Sequence, residues 1–177
     1  MEPKVHANDV EVLFSQEQLE RRISELASEI SRDFTGQDLV IVCVLKGAFL
    51  FAADLCRKLT IECSVDFITA ASYVGKESSG DVKISAGTPI DYKDKTVLLI
   101  EDIVDTGQTV KKLMEYYRSK SVEDVKVASL LSKKAHRKHE LKVDYVGFEV
   151  DDTFVVGYGL DYNQRFRTLP FIGKLNS

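Results

Sequence analysis

The chain predicts an α/β protein: a parallel β-sheet flanked by helices, with a small hood lobe built from the chain ends. Three observations carry this. The unbroken apolar runs Leu39 to Leu45 and Val97 to Ile100 read as strands buried on both faces. The segments around them repeat apolar residues every three or four positions, the mark of helices packed by one face. Helices alternating with buried strands favour crossover connections and a parallel sheet.

Ser15 followed by Gln18 has the form of a capping box, and Leu19, Ile23, Leu26 and Ile30 then recur at helical spacing until Gly36. Leu39 to Leu45 is the next strand, and Phe49, Ala52, Ala53, Cys56 and Leu59 set out the face of a second helix. Val65 to Ala70 is another strand, after which the apolar pattern stops. Residues 72–81, SYVGKESSGD, have the small, polar, Gly-containing composition of a mobile loop, and Val82 to Ser85 is its returning strand. Beyond Val97 to Ile100, Val110, Leu113, Met114 and Tyr117 share one helical face. Val125 to Leu131 and Val143 to Phe148 are further strands on either side of the basic stretch SKKAHRKHE, and Phe154 to Gly159 with Leu169 to Ile172 supply short strands of the appended lobe. No repeat, low-complexity tract or linker interrupts the sequence, so residues 1–177 are expected to form one domain.

A length of 177 residues suffices to bury a core without disulfides or metal staples, and 44% hydrophobic with 29% charged residues is ordinary for a globular protein. No apolar run approaches a membrane span, and the start MEPKVHANDVEVLF lacks a basic segment followed by an apolar core, so a cytoplasmic location with no membrane partner is expected. A net charge of −4 and a pI near 5.5 argue against a nucleic-acid partner, although Lys133, Lys134, Arg137 and Lys138 form a local basic cluster. Cys43, Cys56 and Cys63 have no metal-ligand spacing and leave an odd count for disulfides; they read as small core hydrophobes.

The junction after Ile100 is the richest chemical feature. The strand empties into Glu101 Asp102 Ile103 Val104 Asp105 Thr106 Gly107 Gln108 Thr109 and then into a helix. Acids at the carboxyl end of a parallel strand lie in the crevice where open α/β sheets bind ligands. Small hydroxyl residues and Gly at a helix start can cradle a phosphate with backbone N–H groups. A carboxylate shelf beside a phosphate cradle suits a ribose phosphate. No Gly-x-x-x-x-Gly-Lys-Ser/Thr or Gly-x-Gly-x-x-Gly pattern occurs, which weakens nucleoside triphosphate and dinucleotide readings. Taken singly, Glu101, Asp102 and Asp105 also suit turn residues capping a helix.

As a whole, the two acids followed by Ile, Val, Asp, Thr, Gly, x, Thr resemble the phosphoribosyl pyrophosphate signature of type I phosphoribosyltransferases. The resemblance extends over nearly the whole chain toward the hypoxanthine-guanine branch of that family. It implies that Leu45 Lys46 Gly47 is the pyrophosphate loop, with a cis peptide between the first two residues, and that Ser72 and Tyr73 open the closing loop. It further implies that Phe154 stacks on the purine, that backbone at Val155 reads its Watson–Crick edge, that Lys133 donates to the 6-oxo group and that Arg167 holds pyrophosphate. A magnesium cofactor is implied, with Glu101, Asp102 and Asp161 as its carboxylates. On their own, Phe154 also fits a core position, Lys133 a solvated charge, and Asp161 with Arg167 a surface ion pair.

The activity implied is transfer of phosphoribose from phosphoribosyl pyrophosphate to N9 of a 6-oxopurine, with small molecules as partners and a homodimer or homotetramer as the assembly. Asp105 is the candidate general base, taking the purine N7 proton, while Asp105 to Thr109, Gln108 included, cradle the 5-phosphate. A Lys ammonium has donors only, so it favours the 6-oxo group of hypoxanthine or guanine over the amino group of adenine. Two alternatives remain open on sequence: a regulator sensing phosphoribosyl pyrophosphate on the same fold, and a xanthine-preferring transferase.

Overall fold

The computed structural model describes residues 10–72, 82–86, 90–133 and 141–175. In chain order the elements are β1 (Val10–Phe14), α1 (Gln16–Asp33), β2 (Leu39–Leu45), α2 (Phe49–Cys56), β3 (Cys63–Ser72), β4 (Val82–Ala86), β5 (Thr96–Val104), α3 (Gln108–Arg118), β6 (Asp124–Ser132), β7 (Tyr145–Glu149), β8 (Val155–Val156) and β9 (Ile172–Leu175). Six strands form one sheet in the order β4-β3-β2-β5-β6-β7. Five of them, β3, β2, β5, β6 and β7, run parallel, and β4 returns antiparallel along β3. The chain ends build a separate antiparallel sheet, β1-β9-β8, which is the expected hood.

The unbroken apolar run of β2 reflects burial on both faces. Leu39, Ile41 and Cys43 enter a core with α1, α2 and the hood, whereas Val40, Val42 and Val44 enter a second core under α3. The same two cores take alternate residues of β5, Leu98 and Ile100 on one side and Val97 and Leu99 on the other. Each such side chain contributes about 1.5–3 kcal/mol of burial free energy. α1 begins with the capping box read from the sequence, Ser15 Oγ accepting from the Gln18 N–H and Gln18 Oε1 from the Ser15 N–H. Its face Leu19, Ile23, Leu26, Ile30 is buried as spaced. Arg22 donates from Nε to the Gly147 carbonyl at 3.0 Å and from Nη2 to the Val146 carbonyl at 2.8 Å, covering backbone of the edge strand β7.

The face of α2 differs from the sequence expectation. Phe51, Ala52 and Leu55 are buried, while Phe49 and Ala53 are exposed. The helix has eight residues, nearly all apolar, so periodicity cannot select a face; the three-residue connection from Leu45 fixes it instead. β7 starts at Tyr145, two residues later than expected, and β5 runs on past Ile100 to Val104. The hood is held to the sheet by Phe14 of β1 stacking on Phe148 of β7, ring centroids 4.2 Å apart. Among the described residues no helix is long and apolar enough to cross a membrane.

Candidate active site

A cleft of about 460 Å³ opens at the carboxyl ends of β2 and β5, the position where parallel sheets bind ligands. The turn after β2 supplies Lys46 and Gly47, and β5 supplies Glu101 and Asp102. Asp105, Thr106, Gly107, Gln108 and Thr109 follow in the turn into α3, and Asp161 and Arg167 close the cleft from the hood. The Leu45–Lys46 peptide is cis.

Two adjacent acids on a regular strand face opposite ways, yet Glu101 and Asp102 line the same cleft. The pleat makes this possible by changing phase at these residues. Leu98 and Ile100 belong to the core under α1 and α2, but so does Ile103, and Val104 turns to the α3 side with Val97 and Leu99. The ladder to β6 pairs Glu101 with Ser129 and Ile103 with Leu131, leaving Asp102 out.

Gly107 is the N-cap of α3, in the left-handed region at φ 79°, with no capping side chain of its own. Thr106 Oγ1 accepts from the Gln108 N–H at 3.4 Å, and the start of α3 faces the cleft with the positive end of the helix behind it.

The acids are unequal. Glu101 is 6% exposed, and burial, helped by the charge of Asp102, pushes its carboxyl well above the ordinary carboxylate range. Burial also raises Asp102, opposed by the N–H of Ile103 and by the nearby Arg167 charge, while Asp161 adds to the rise. Ile103 donates its N–H to Asp102 Oδ1 at 2.8 Å. Arg167 is fixed from two sides, its Nη2 pairing with Asp161 Oδ1 at 2.6 Å and its Nη1 donating to the Gly159 carbonyl at 2.6 Å. Among the described residues no group of three or more His, Cys, Asp or Glu forms a metal cage.

Three purine-contact candidates lie outside the lining of this cleft. Lys133 directly follows β6, its N–H donating to the Val104 carbonyl at 2.9 Å and its Nζ 3.5 Å from Asp152 Oδ1. Phe154 is 57% exposed, its ring edge-on to Tyr162 at 5.9 Å, so it is not a core residue. Val155, the next residue, is buried in β8 and pairs with Lys174 of β9. Ser72 ends β3, whereas Tyr73 and the rest of the loop to 81 fall outside the described residues, as do Lys134, Arg137 and Lys138.

Sequence reading missed Gln164, Tyr158 and Gly159. Tyr158 donates its hydroxyl to Asp54 of α2 at 2.5 Å, and Gly159 lies against the Gly47 carbonyl. The Gly157-x-Gly159 spacing was a usable signal for a close backbone approach; nothing in the sequence marked Gln164.

The family model of the phosphoribosyl transferase domain matches residues 9–163. The chain is 41% identical over 169 residues to the hypoxanthine phosphoribosyltransferase of Escherichia coli K12, covering 94% of this chain and 95% of that one. It is 41% identical over 170 residues to the hypoxanthine-guanine phosphoribosyltransferase of Bacillus subtilis 168, covering 95% and 94%. The crystal structure of a hypoxanthine phosphoribosyltransferase from Staphylococcus aureus superposes with a TM-score of 0.91 at 39% identity, covering 99% of this chain and 97% of that one. With its signature turn and hood in place, the chain belongs to the phosphoribosyltransferase family, in its hypoxanthine and hypoxanthine-guanine branch.

Proposed function

We propose that the protein, acting as one domain over residues 1–177, is a purine-salvage enzyme of the cytoplasm. It transfers the 5-phosphoribosyl group of phosphoribosyl pyrophosphate to N9 of hypoxanthine or guanine, giving IMP or GMP and pyrophosphate. The observation that carries this reading is one cleft in which the Lys46–Gly47 turn, the Glu101–Asp102 pair, the start of α3 and Arg167 all meet. The assembly proposed, from the family resemblance, is a homodimer or homotetramer.

In this reading the N–H groups and hydroxyls of Thr106 to Thr109 hold the 5-phosphate, and Glu101 and Asp102 bind the ribose hydroxyls. Lys46, Gly47 and Arg167 hold the pyrophosphate. Asp105, in the turn between shelf and cradle, takes the N7 proton as N9 attacks C1 and pyrophosphate leaves. Phe154, already exposed, offers its face to the base, with Val155 and Lys133 reading its edge and its 6-oxo group. Ser72 and Tyr73 begin the loop that closes over the reactants and keeps water from C1.

The charges support a magnesium cofactor. Four carboxyl groups, Glu101, Asp102, Asp105 and Asp161, share the cleft with two cations, Lys46 and Arg167, so an unaccompanied polyanion meets an excess of acid. Hard oxygen donors are what magnesium takes, and it characteristically leans on one or two carboxylates plus substrate oxygens. One or two carboxylates from among Glu101, Asp102 and Asp161, with substrate oxygens, would hold it, and when bound it would neutralise charge on the leaving pyrophosphate.

The test is nucleotide formation from phosphoribosyl pyrophosphate and magnesium with hypoxanthine, guanine, xanthine and adenine offered separately. IMP and GMP are expected, with AMP absent. Nucleotide chiefly from xanthine would reassign the base, and phosphoribosyl pyrophosphate binding without any nucleotide would favour a sensor.

A further inference from the structure

We propose that Gln164 is a positioning residue: its neutral amide oxygen stands in for a pyrophosphate oxygen, holding Lys46 beside Arg167 and apart from the carboxylates of the cleft until the anion arrives. The inference rests on the reading of this cleft as the pyrophosphate site and names a residue and a device that the reading does not contain.

Gln164 Oε1 lies 3.5 Å from Lys46 Nζ and 3.4 Å from Arg167 Nη2, so two cations, one of them 118 residues away in sequence, converge on a single acceptor. Among the described residues this oxygen is the one hydrogen-bond partner of the Lys46 ammonium. The amide is held there by a costly turn. Asn163 and Gln164 have φ of 50° and 62°, the left-handed region, where a Cβ crowds the backbone. The Gln164 N–H donating to Asp161 Oδ2 at 2.7 Å and the paired backbone bonds between Tyr162 and Arg165 maintain it. Asp161 thus fixes both the backbone of Gln164 and the guanidinium of Arg167.

Both contacts to the amide oxygen exceed the 2.7–3.2 Å of a good N–H···O bond. Charge-assisted bonds to an anionic oxygen are shorter and roughly twice as strong, so pyrophosphate displaces the amide with a net gain. The alternative partners are close. Lys46 carries its charge on a flexible four-carbon stem, and Glu101, Asp102, Asp105 and Asp161 line the same cleft. An ion pair between Lys46 and any of them would have to be broken before pyrophosphate could bind. A weak neutral acceptor prevents that pairing without competing strongly itself. A carboxylate at position 164 would compete, pairing with both cations.

The test is calorimetric titration of inorganic pyrophosphate with magnesium into wild type, Gln164→Glu and Gln164→Met, beside steady-state kinetics. Gln164→Glu, of unchanged shape, is expected to weaken pyrophosphate binding by about tenfold or more, equivalent to about 1.4 kcal/mol. Its KM for phosphoribosyl pyrophosphate rises in parallel and by more than kcat changes, with the KM for hypoxanthine left in place, a split that general loosening of the hood would not produce. Gln164→Met, which frees Lys46 to seek a carboxylate, weakens pyrophosphate by a smaller factor, about threefold. Wild-type affinity in both variants, or equal losses for pyrophosphate and hypoxanthine, overturns the role of Gln164. Failure of the wild-type protein to bind pyrophosphate overturns the reading of the cleft instead.

Discussion

Gly47 and Asp102 interlock across the cleft: a Cβ built on Gly47 would lie 1.5 Å from Asp102 Oδ2 and 2.4 Å from its Cγ. The absence of a side chain at 47 is what lets the acid shelf of β5 close against the turn after β2. Behind it, a Cβ on Gly159 would lie 2.0 Å from the Gly47 carbonyl oxygen, at a φ of 101° that favours glycine.

These two contacts separate function from stability. Gly47→Ala meets a side chain that can rotate, so the fold survives while Asp102 leaves its place; kcat/KM for phosphoribosyl pyrophosphate is expected to fall by about 10²-fold. Gly159→Ala meets backbone and adds left-handed strain, so it is expected to cost about 2–4 kcal/mol of unfolding free energy. Thermal melts beside kinetics check both. A Gly47→Ala protein that is unstable, or fully active, would contradict the arrangement.

Glu101 gives a stability signature in pH. Burial holds its folded carboxyl pKa well above the ordinary value of 4.5, so the folded state binds the proton more tightly than the unfolded chain. That stabilisation is complete below about pH 4.5 and is lost as pH rises through the folded value, at up to about 1.4 kcal/mol per pH unit. Glu101→Gln fixes the neutral form. It is expected to match wild type near pH 4 and to be the more stable protein at pH 8, read by chemical denaturation at both. A variant less stable than wild type at pH 8 would show that the buried carboxylate is well compensated.

The cysteines are expected to be inert. Burial, with Cys56 and the acids Glu101 and Asp102 adding to it, pushes the Cys43 thiol up to about 12, and burial pushes Cys56 up to about 11. Thiolate is the reactive form, so iodoacetamide at pH 8 leaves both unmodified in the folded protein while labelling them in denaturant. Rapid labelling of Cys43 with loss of nucleotide formation would place a reactive thiol beside the cleft.

Much of this was legible in sequence because it is local. The capping box at Ser15 and Gln18 and the run Leu39–Leu45 depend on neighbours in the chain, and both stand where the residues predict them. Glu101 to Thr109 are contiguous, so strand, turn and helix bring them to one place without help from the rest of the fold. The face of α2 was not legible, since Phe49 to Cys56 is apolar almost all round and its orientation is set by the connection from β2. Nor was the convergence of Gln164 on Lys46, a contact the hood makes across the sheet between residues 118 positions apart. Pattern alone placed Phe154 as readily in the core as at a ligand; the structure leaves it 57% exposed.

The measurement that bears most directly on the central claim is the turnover of Asp105→Asn set against its dissociation constant for phosphoribosyl pyrophosphate. Asp105 lines the cleft in the turn between β5 and α3, and we propose it as the base that takes the purine proton. Losing a general base costs about 10²–10⁴-fold in rate and little in ground-state binding. The account predicts a fall in kcat of that order with the dissociation constant within about threefold of wild type. Equal losses in both would make Asp105 a binding residue and contradict the mechanism.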